Sequence, residues 1–232
     1  MQNQINHYNI IGDIHGRTCW KELVKDDCIN IFVGDYLDPY ENIPYEALIH
    51  NFVDIIAYKQ AHPQTVLLYG NHDLPYIASC DSNNRFDAIH AEQSRMFFRE
   101  TAHLFAGVAY AIGDNALVTH AGVSKEWYEK EFGSYDGAKP TVVAEDVNYL
   151  WAHNKVEFSF RANASSLADS MGDSATHSPL WIRPWTLSEH NLFVGTPYIQ
   201  IFGHTQMDNI ISIDDHLVCV DCLGSIVKSY QI

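Results

Sequence analysis

Short apolar runs recur along the chain, and each stops at a small polar turn. Residues 7–11 lead into Gly12-Asp13-Ile14-His15-Gly16, and residues 29–33 into Gly34-Asp35-Tyr36-Leu37-Asp38. Residues 65–69 lead into Gly70-Asn71-His72-Asp73, 116–119 into His120-Ala121-Gly122, and 198–202 into Gly203-His204-Thr205. The runs are rich in β-branched and aromatic residues and too short for helices, so they read as buried strands. Between the first three lie helical patterns. Residues 19–25 fit a short helix with Thr18 as its cap. Pro44 opens a longer one, in which Ala47, Leu48, Phe52, Ile55 and Ile56 recur at helical spacing, and Pro63 closes it. This β-α-β-α-β order predicts adjacent, largely parallel strands.

Further on, residues 75–87 read as a loop and 88–104 as a helix with Ile89, Met96 and Phe97 facing inward. Residues 107–113 and 116–119 read as a hairpin around Asp114-Asn115. Helices are expected over 125–132 and 144–153, and strands over 210–213, 217–223 and 226–229. The stretch 161–178 is rich in Ser, Ala and Asp, which fits a lid or a surface insertion. No repeat or linker interrupts the pattern, so one domain over 1–232 is expected.

Composition narrows the classes. A 232-residue chain can bury a large core. The formal net charge of −15 disfavours stable binding to nucleic acid or to an anionic membrane. Five cysteines without a disulfide-like spacing predict reduced thiols and a cytoplasmic location. Asp13 lies too near residue 1 to leave room for a signal peptide, and no apolar run is long enough for a bilayer. The sequon Asn163-Ala164-Ser165 is therefore expected to be idle.

The turns carry the chemistry. In open α/β sheets, sites form at the carboxyl ends of strands. Asp13 and His15 stand two apart, so both can reach one cation while Ile14 points into the core. Asp35 can bridge two cations with its two oxygens. Asn71 offers a carbonyl oxygen, and His120 and His204 offer imidazoles. Such a mixed oxygen and nitrogen set suits Mn²⁺, Fe or Zn²⁺. Two cations about 3.5–4 Å apart can clamp the attacking and leaving oxygens of an in-line displacement. His72 beside a carboxylate such as Asp38 is suited to protonate a leaving oxygen.

Together, GDIHG at 12–16, GDYLD at 34–38, GNHD at 70–73, HAG at 120–122 and GHT at 203–205 resemble the calcineurin-like metallophosphoesterase signature. The resemblance implies a four-layer α-β-β-α sandwich, with two mixed sheets flanked by helices and a dinuclear metal site at one edge. It assigns Asp13 and His15 to one ion, and Asn71, His120 and His204 to the other, with Asp35 bridging. It implies attack by a metal-bridging hydroxide, with His72 as general acid, oriented and charged by Asp38. Mn²⁺ is the first expectation for both ions. Gln206 stands where nuclease and cyclic-nucleotide branches usually place a second His. The chain is thus closer to the phosphoprotein phosphatases and bacterial diadenosine tetraphosphatases. Trp181-Ile182-Arg183 matches the Trp-x-Arg segment whose Arg holds phosphate in that group. One departure stands out: GDxxDRG reads Asp38-Pro39-Tyr40 here, so its Arg is absent, and Arg17 is a candidate substitute.

The expected activity is hydrolysis of phosphomonoesters in the manner of a serine/threonine protein phosphatase. The expected partner is a phosphorylated substrate: a phosphoprotein, a nucleotide or a small phosphoester. A dinucleoside-polyphosphate hydrolase and a non-catalytic scaffold are the alternatives. His90-Ala91-Glu92 with Cys219-Val220-Asp221-Cys222 mimics a zinc deaminase pattern, but Val218 stands where Pro belongs.

Overall fold

The computed structural model describes residues 7–78, 80, 85–163 and 173–232. Half of the stretch expected as a lid or insertion (residues 164–172), and part of the sequon, lie outside these residues. The strands are β1 (Tyr8–Ile11), β2 (Ile29–Phe32), β3 (Val66–Leu67), β4 (Ala109–Ile112), β5 (Ala116–Thr119), β6 (Ile199–Phe202), β7 (Ile211–Ser212), β8 (Leu217–Cys219) and β9 (Tyr230–Gln231). The α-helices are α1 (Trp20–Leu23), α2 (Tyr45–Ala61), α3 (Leu74–Ile77), α4 (Ala91–Thr101), α5 (Lys125–Phe132), α6 (Pro140–His153), α7 (Phe160–Asn163) and α8 (Pro184–His190).

Two mixed sheets form, in the orders β3-β2-β1-β9 and β4-β5-β6-β8-β7. Strands β1, β2 and β3 are parallel, and β9 returns antiparallel to β1. In the second sheet β5, β6 and β8 are parallel, flanked by antiparallel β4 and β7. Side chains alternate between faces along each strand. Ile10, Ile31, Val33, Val66 and Leu68 meet Ile112, Ala116, Val118, Ile201, Val218 and Val220 in a core between the sheets. The intervening residues face outward. Ile11, Phe32 and Leu67 pack under α1 and α2 through Trp20, Leu23, Leu48, Phe52 and Ile55. Phe202, Leu217 and Cys219 pack on Leu187 of α8. The layers therefore run helices, sheet, sheet, helices. Among the described residues no helix is long and apolar enough to cross a membrane.

Several local expectations are corrected. Trp20–Leu23 is a single helical turn with no side-chain cap, so Thr18 does not cap it. Ala47 is exposed, and Asn51 takes the buried place, accepting from Trp20 Nε1 at 2.9 Å. The loop expected over 75–87 contains α3, with Pro75 in its first turn, where a missing N–H costs nothing. Helix α4 starts only at Ala91, which leaves Ile89 88% exposed and turns Ala91, Ser94 and Phe98 inward. Met96 is half exposed. Helix α6 begins at Pro140, ahead of the expected 144. Residues 226–229 form no strand; the pairing with β1 falls on Tyr230 and Gln231.

Candidate metal centre

The parallel strands β1, β2, β3, β5 and β6 deliver Asp13, Asp35, Asn71, His120 and His204 from their carboxyl ends to one edge of the sandwich. Close approach of the turns needs glycine. Gly34 has φ 114°, and a Cβ there would strike the backbone of Gly70; a Cβ on Gly70 would strike Asp35. His15, Asp35, Asp38 and His204 have φ between 44° and 67°, a region non-glycine residues seldom enter. Such strain concentrates at functional sites, where the surrounding structure holds it.

Asp73 supplies part of that hold. Its carboxylate accepts from the backbone N–H of Gly70 (2.8 Å), Asp35 (2.9 Å) and Tyr36 (3.0 Å), tying the turn after β2 to the turn after β3. Asp73→Ala leaves three buried donors unpaired. A loss of about 3 kcal/mol or more is expected, read as a lower urea midpoint. A shift below about 1 kcal/mol would show that the turns hold without it.

The donor atoms converge. One ligand atom from each of Asp13, Asp35 and His120 lies within 4.8 Å of the others, and the same holds for His15, Asp35 and His72. Asp35 belongs to both groups. Its Oδ2 is 3.4 Å from His15 Nε2 and 3.4 Å from His120 Nε2. Asn71 Oδ1 is 2.7 Å from His120 Nε2 and 3.0 Å from His204 Nδ1. Donors sharing a cation at about 2.0–2.2 Å stand about 3 Å apart, so these spacings fit ligand edges. The other ring nitrogens of His120 and His15 are anchored. His120 Nδ1 donates to Val33 O (2.9 Å), and His15 Nδ1 lies against the carbonyls of Leu37 and Asp38 (3.2 and 3.0 Å). That backing turns Nε2 toward the centre, as ligating histidines require.

The electrostatics fit the same purpose. Burial pushes Asp35 up to about 8, and burial with the charges of Asp221 and Asp35 holds Asp13 well above the carboxylate range. Burial also lowers His120 to about 3 and holds His15 and His204 well below the imidazole range. Neutral imidazoles beside crowded carboxylates are what a cation needs. His72 behaves oppositely. Burial alone would lower it, but the charge of Asp35 and the bond and charge of Asp38 raise it. Its Nδ1 lies 3.1 Å from Asp38 Oδ2, while Asp38 Oδ1 accepts from Tyr76 Oη at 2.5 Å.

Beside these groups lies a cavity of about 280 Å³, whose walls include Asp35, Asn71, His72, His204, Arg85 and Arg183. Arg183 Nη1 donates to Thr205 Oγ1 at 3.0 Å, and Trp181 packs edge-on against His204. Arg17 stands behind the centre: its Nε donates to Glu41 Oε1 at 2.9 Å and its Nη1 to the backbone oxygen of Asp13 at 3.5 Å, and it is not among the residues that wall the cavity. The deaminase mimic does not assemble: His90 stacks on Tyr45 and bonds Asp87, while Cys219 is packed in the second sheet.

Three residues of the site carry no assignment from the sequence. Asp73 is visible in GNHD, but its three-way bond depends on the fold. Asp221 follows β8 as the other acids follow their strands; it is buried beside Asp13 and shares a hydrogen bond with it. The apolar run before it, residues 217–220, is the signal that points to it. Arg85 has no sequence signal.

Comparison with known proteins agrees with this architecture. No curated protein matches the chain. Among solved structures, a point mutant of a cold-active protein tyrosine phosphatase aligns with 17% identity and a TM-score of 0.61, covering 98% of this chain and 78% of that one. A protein serine/threonine phosphatase from Saccharomyces cerevisiae, with similarity to human phosphatase PP5, aligns with 14% identity and a TM-score of 0.55, over 94% of this chain and 68% of that one. At such identities the likeness shows the fold. The model of the calcineurin-like phosphoesterases matches residues 8–208, which takes in all five turns. On that match the chain belongs to the calcineurin-like phosphoesterase family, and is a metal-dependent hydrolase of phosphoesters.

Proposed function

We propose that this chain hydrolyses phosphomonoesters with two divalent ions, Mn²⁺ the first choice. The supporting observation is Asp35, whose Oδ2 stands equally near His15 and His120. One carboxylate between two sets of donors suits a pair of ions. When bound, these ions supply an activated water and a clamp on phosphoryl oxygens. Asp13, His15 and Asp35 would hold one, and Asp35, Asn71, His120 and His204 the other.

The remaining steps belong to side chains. Asp38, itself held by Tyr76, orients His72 and keeps it charged. His72 Nε2 then delivers a proton to the leaving oxygen. Arg183, steadied by Thr205, binds the phosphoryl oxygens and keeps its hold as charge redistributes in the transition state. A cavity of about 280 Å³ suits a phosphoryl group with a short leaving group, such as a phosphorylated side chain.

Arg183 provides the test. Arg183→Ala is expected to raise KM and lower kcat for p-nitrophenyl phosphate, with kcat/KM down about ten- to a hundredfold. Arg183→Lys should recover only part, since a point charge cannot make the bidentate pair. Arg17→Ala is the comparison, expected to leave KM near that of the wild type because Arg17 bonds Glu41 and the Asp13 backbone and does not wall the cavity. If Arg17→Ala cripples kcat/KM and Arg183→Ala does not, the phosphate ligand is Arg17. A panel of phosphopeptides, the bis ester and diadenosine tetraphosphate separates the monoester reading from its alternatives.

A further inference from the structure

Arg17 is tied to Glu41 through Nε and to the backbone oxygen of Asp13 through Nη1, and it does not wall the cavity. A phosphomonoester nevertheless arrives there with nearly two negative charges at neutral pH, into walls that include the carboxylate of Asp35. Arg183 is one cationic wall, and Arg85 is another.

Arg85 is placed by stacking. Its guanidinium carbon lies 3.9 Å from the centroid of the Tyr40 ring. Tyr40 in turn meets the ring of His15 edge-on, with centroids 4.8 Å apart. A chain of contacts thus runs from a candidate ligand to the Arg85 head group. Stacking uses the face of a guanidinium and leaves its N–H edges for an oxyanion. The backbone of Arg85 sits at φ 71°; among the described residues the other non-glycine positions with positive φ are His15, Asp35, Asp38 and His204. Strain of this kind persists where the local structure imposes it, and here it is shared with the centre itself.

We propose that Arg85, stacked on Tyr40, is a second phosphate-binding residue of this cavity and favours dianionic monoesters over singly charged diesters. The inference rests on the phosphoesterase reading of the same site. It also gives the half-exposed ring of Tyr40 a role, as the platform that holds this cation.

The test is binding of inorganic phosphate to the Mn²⁺-loaded protein by titration calorimetry, alongside kinetics on p-nitrophenyl phosphate and its bis ester. Arg85→Ala should raise the Kd of phosphate about ten- to a hundredfold and lower kcat/KM for the monoester similarly. The bis ester should lose much less. Arg85→Lys should restore part of both. Tyr40→Leu should weaken phosphate about two- to fivefold, and Tyr40→Phe should not. A phosphate Kd within twofold of wild type in Arg85→Ala overturns the proposal, as does equal loss on monoester and diester. If the wild-type protein binds phosphate through Arg85 yet hydrolyses no ester, the phosphatase reading falls and the binding role stands.

Discussion

Asp35→Asn is expected to abolish hydrolysis and to strip the chain of metal. The residue is the one candidate donor shared by both groups of ligand atoms, through an Oδ2 that is 3.4 Å from His15 Nε2 and from His120 Nε2. Asn keeps the shape but loses the charge, and its single oxygen cannot both face the ions and accept from the His72 backbone N–H, as the two oxygens of Asp35 do. A cation pair without its common anion has no bridge, and each ion then faces a weaker set. The metal-free protein should respond in the opposite sense. Burial raises Asp35 to about 8, above its unfolded value near 3.9, so ionising it between those values favours the unfolded chain. Its carboxylate therefore destabilises the apo fold as pH rises through that window. In chelator at pH 7.5, Asp35→Asn should melt no lower than wild type, and above it if relief of that ionisation dominates. Metal analysis and thermal denaturation of one sample read both effects. A variant that keeps its ions and its activity would show that Asp35 is no bridge.

His72→Asn should separate chemistry from binding. With Asp38 on Nδ1 and Asp35 nearby, His72 is held protonated above its usual range. A general acid contributes most when the leaving group is a poor one. On alkyl phosphates such as phosphoserine the variant should lose about 10²–10⁴-fold in kcat. On p-nitrophenyl phosphate, whose leaving group needs little protonation, the loss should be far smaller. The sign of the pH effect follows: wild-type activity on alkyl phosphates falls as pH rises through the His72 pKa, and the variant lacks that limb. Equal losses on both substrates, with metal retained, would argue against the acid role; loss of metal in the variant would place His72 among the ligands, as its proximity to His15 and Asp35 permits.

The centre is legible in the sequence because its logic is local. A short, mostly apolar strand ending in Gly and then a polar donor is visible in sequence; four repeats of it, and a fifth strand that runs straight into His120, single out one edge of the sandwich. Asp221 belongs to the same pattern. It escapes notice because 217–223 reads as one unbroken strand, which hides the turn that ends β8. Arg17 and Arg85 show the opposite limit. The nearness of Arg17 to GDIHG in sequence says nothing of Glu41, which takes its Nε–H in space. Arg85 belongs to no turn motif in the sequence, and its stack on Tyr40 at the cavity wall is seen only in the fold. Helix faces are misjudged where boundaries slip: starting α4 at Ala91 rotates Ile89 out of the helix and into solvent. Buried polar residues such as Asn51 and Gln200 escape for another reason. Their burial follows from hydrogen bonds to Trp20 and Val123, which no periodicity encodes.

The most direct measurement returns Mn²⁺ stepwise to chelator-stripped protein and follows bound metal and phosphoserine hydrolysis in the same samples. Hydrolysis should be absent without metal and should rise to its plateau only as the second ion per chain binds. Full activity in the stripped protein, or a plateau reached at one ion per chain, would contradict a dinuclear centre built on Asp35.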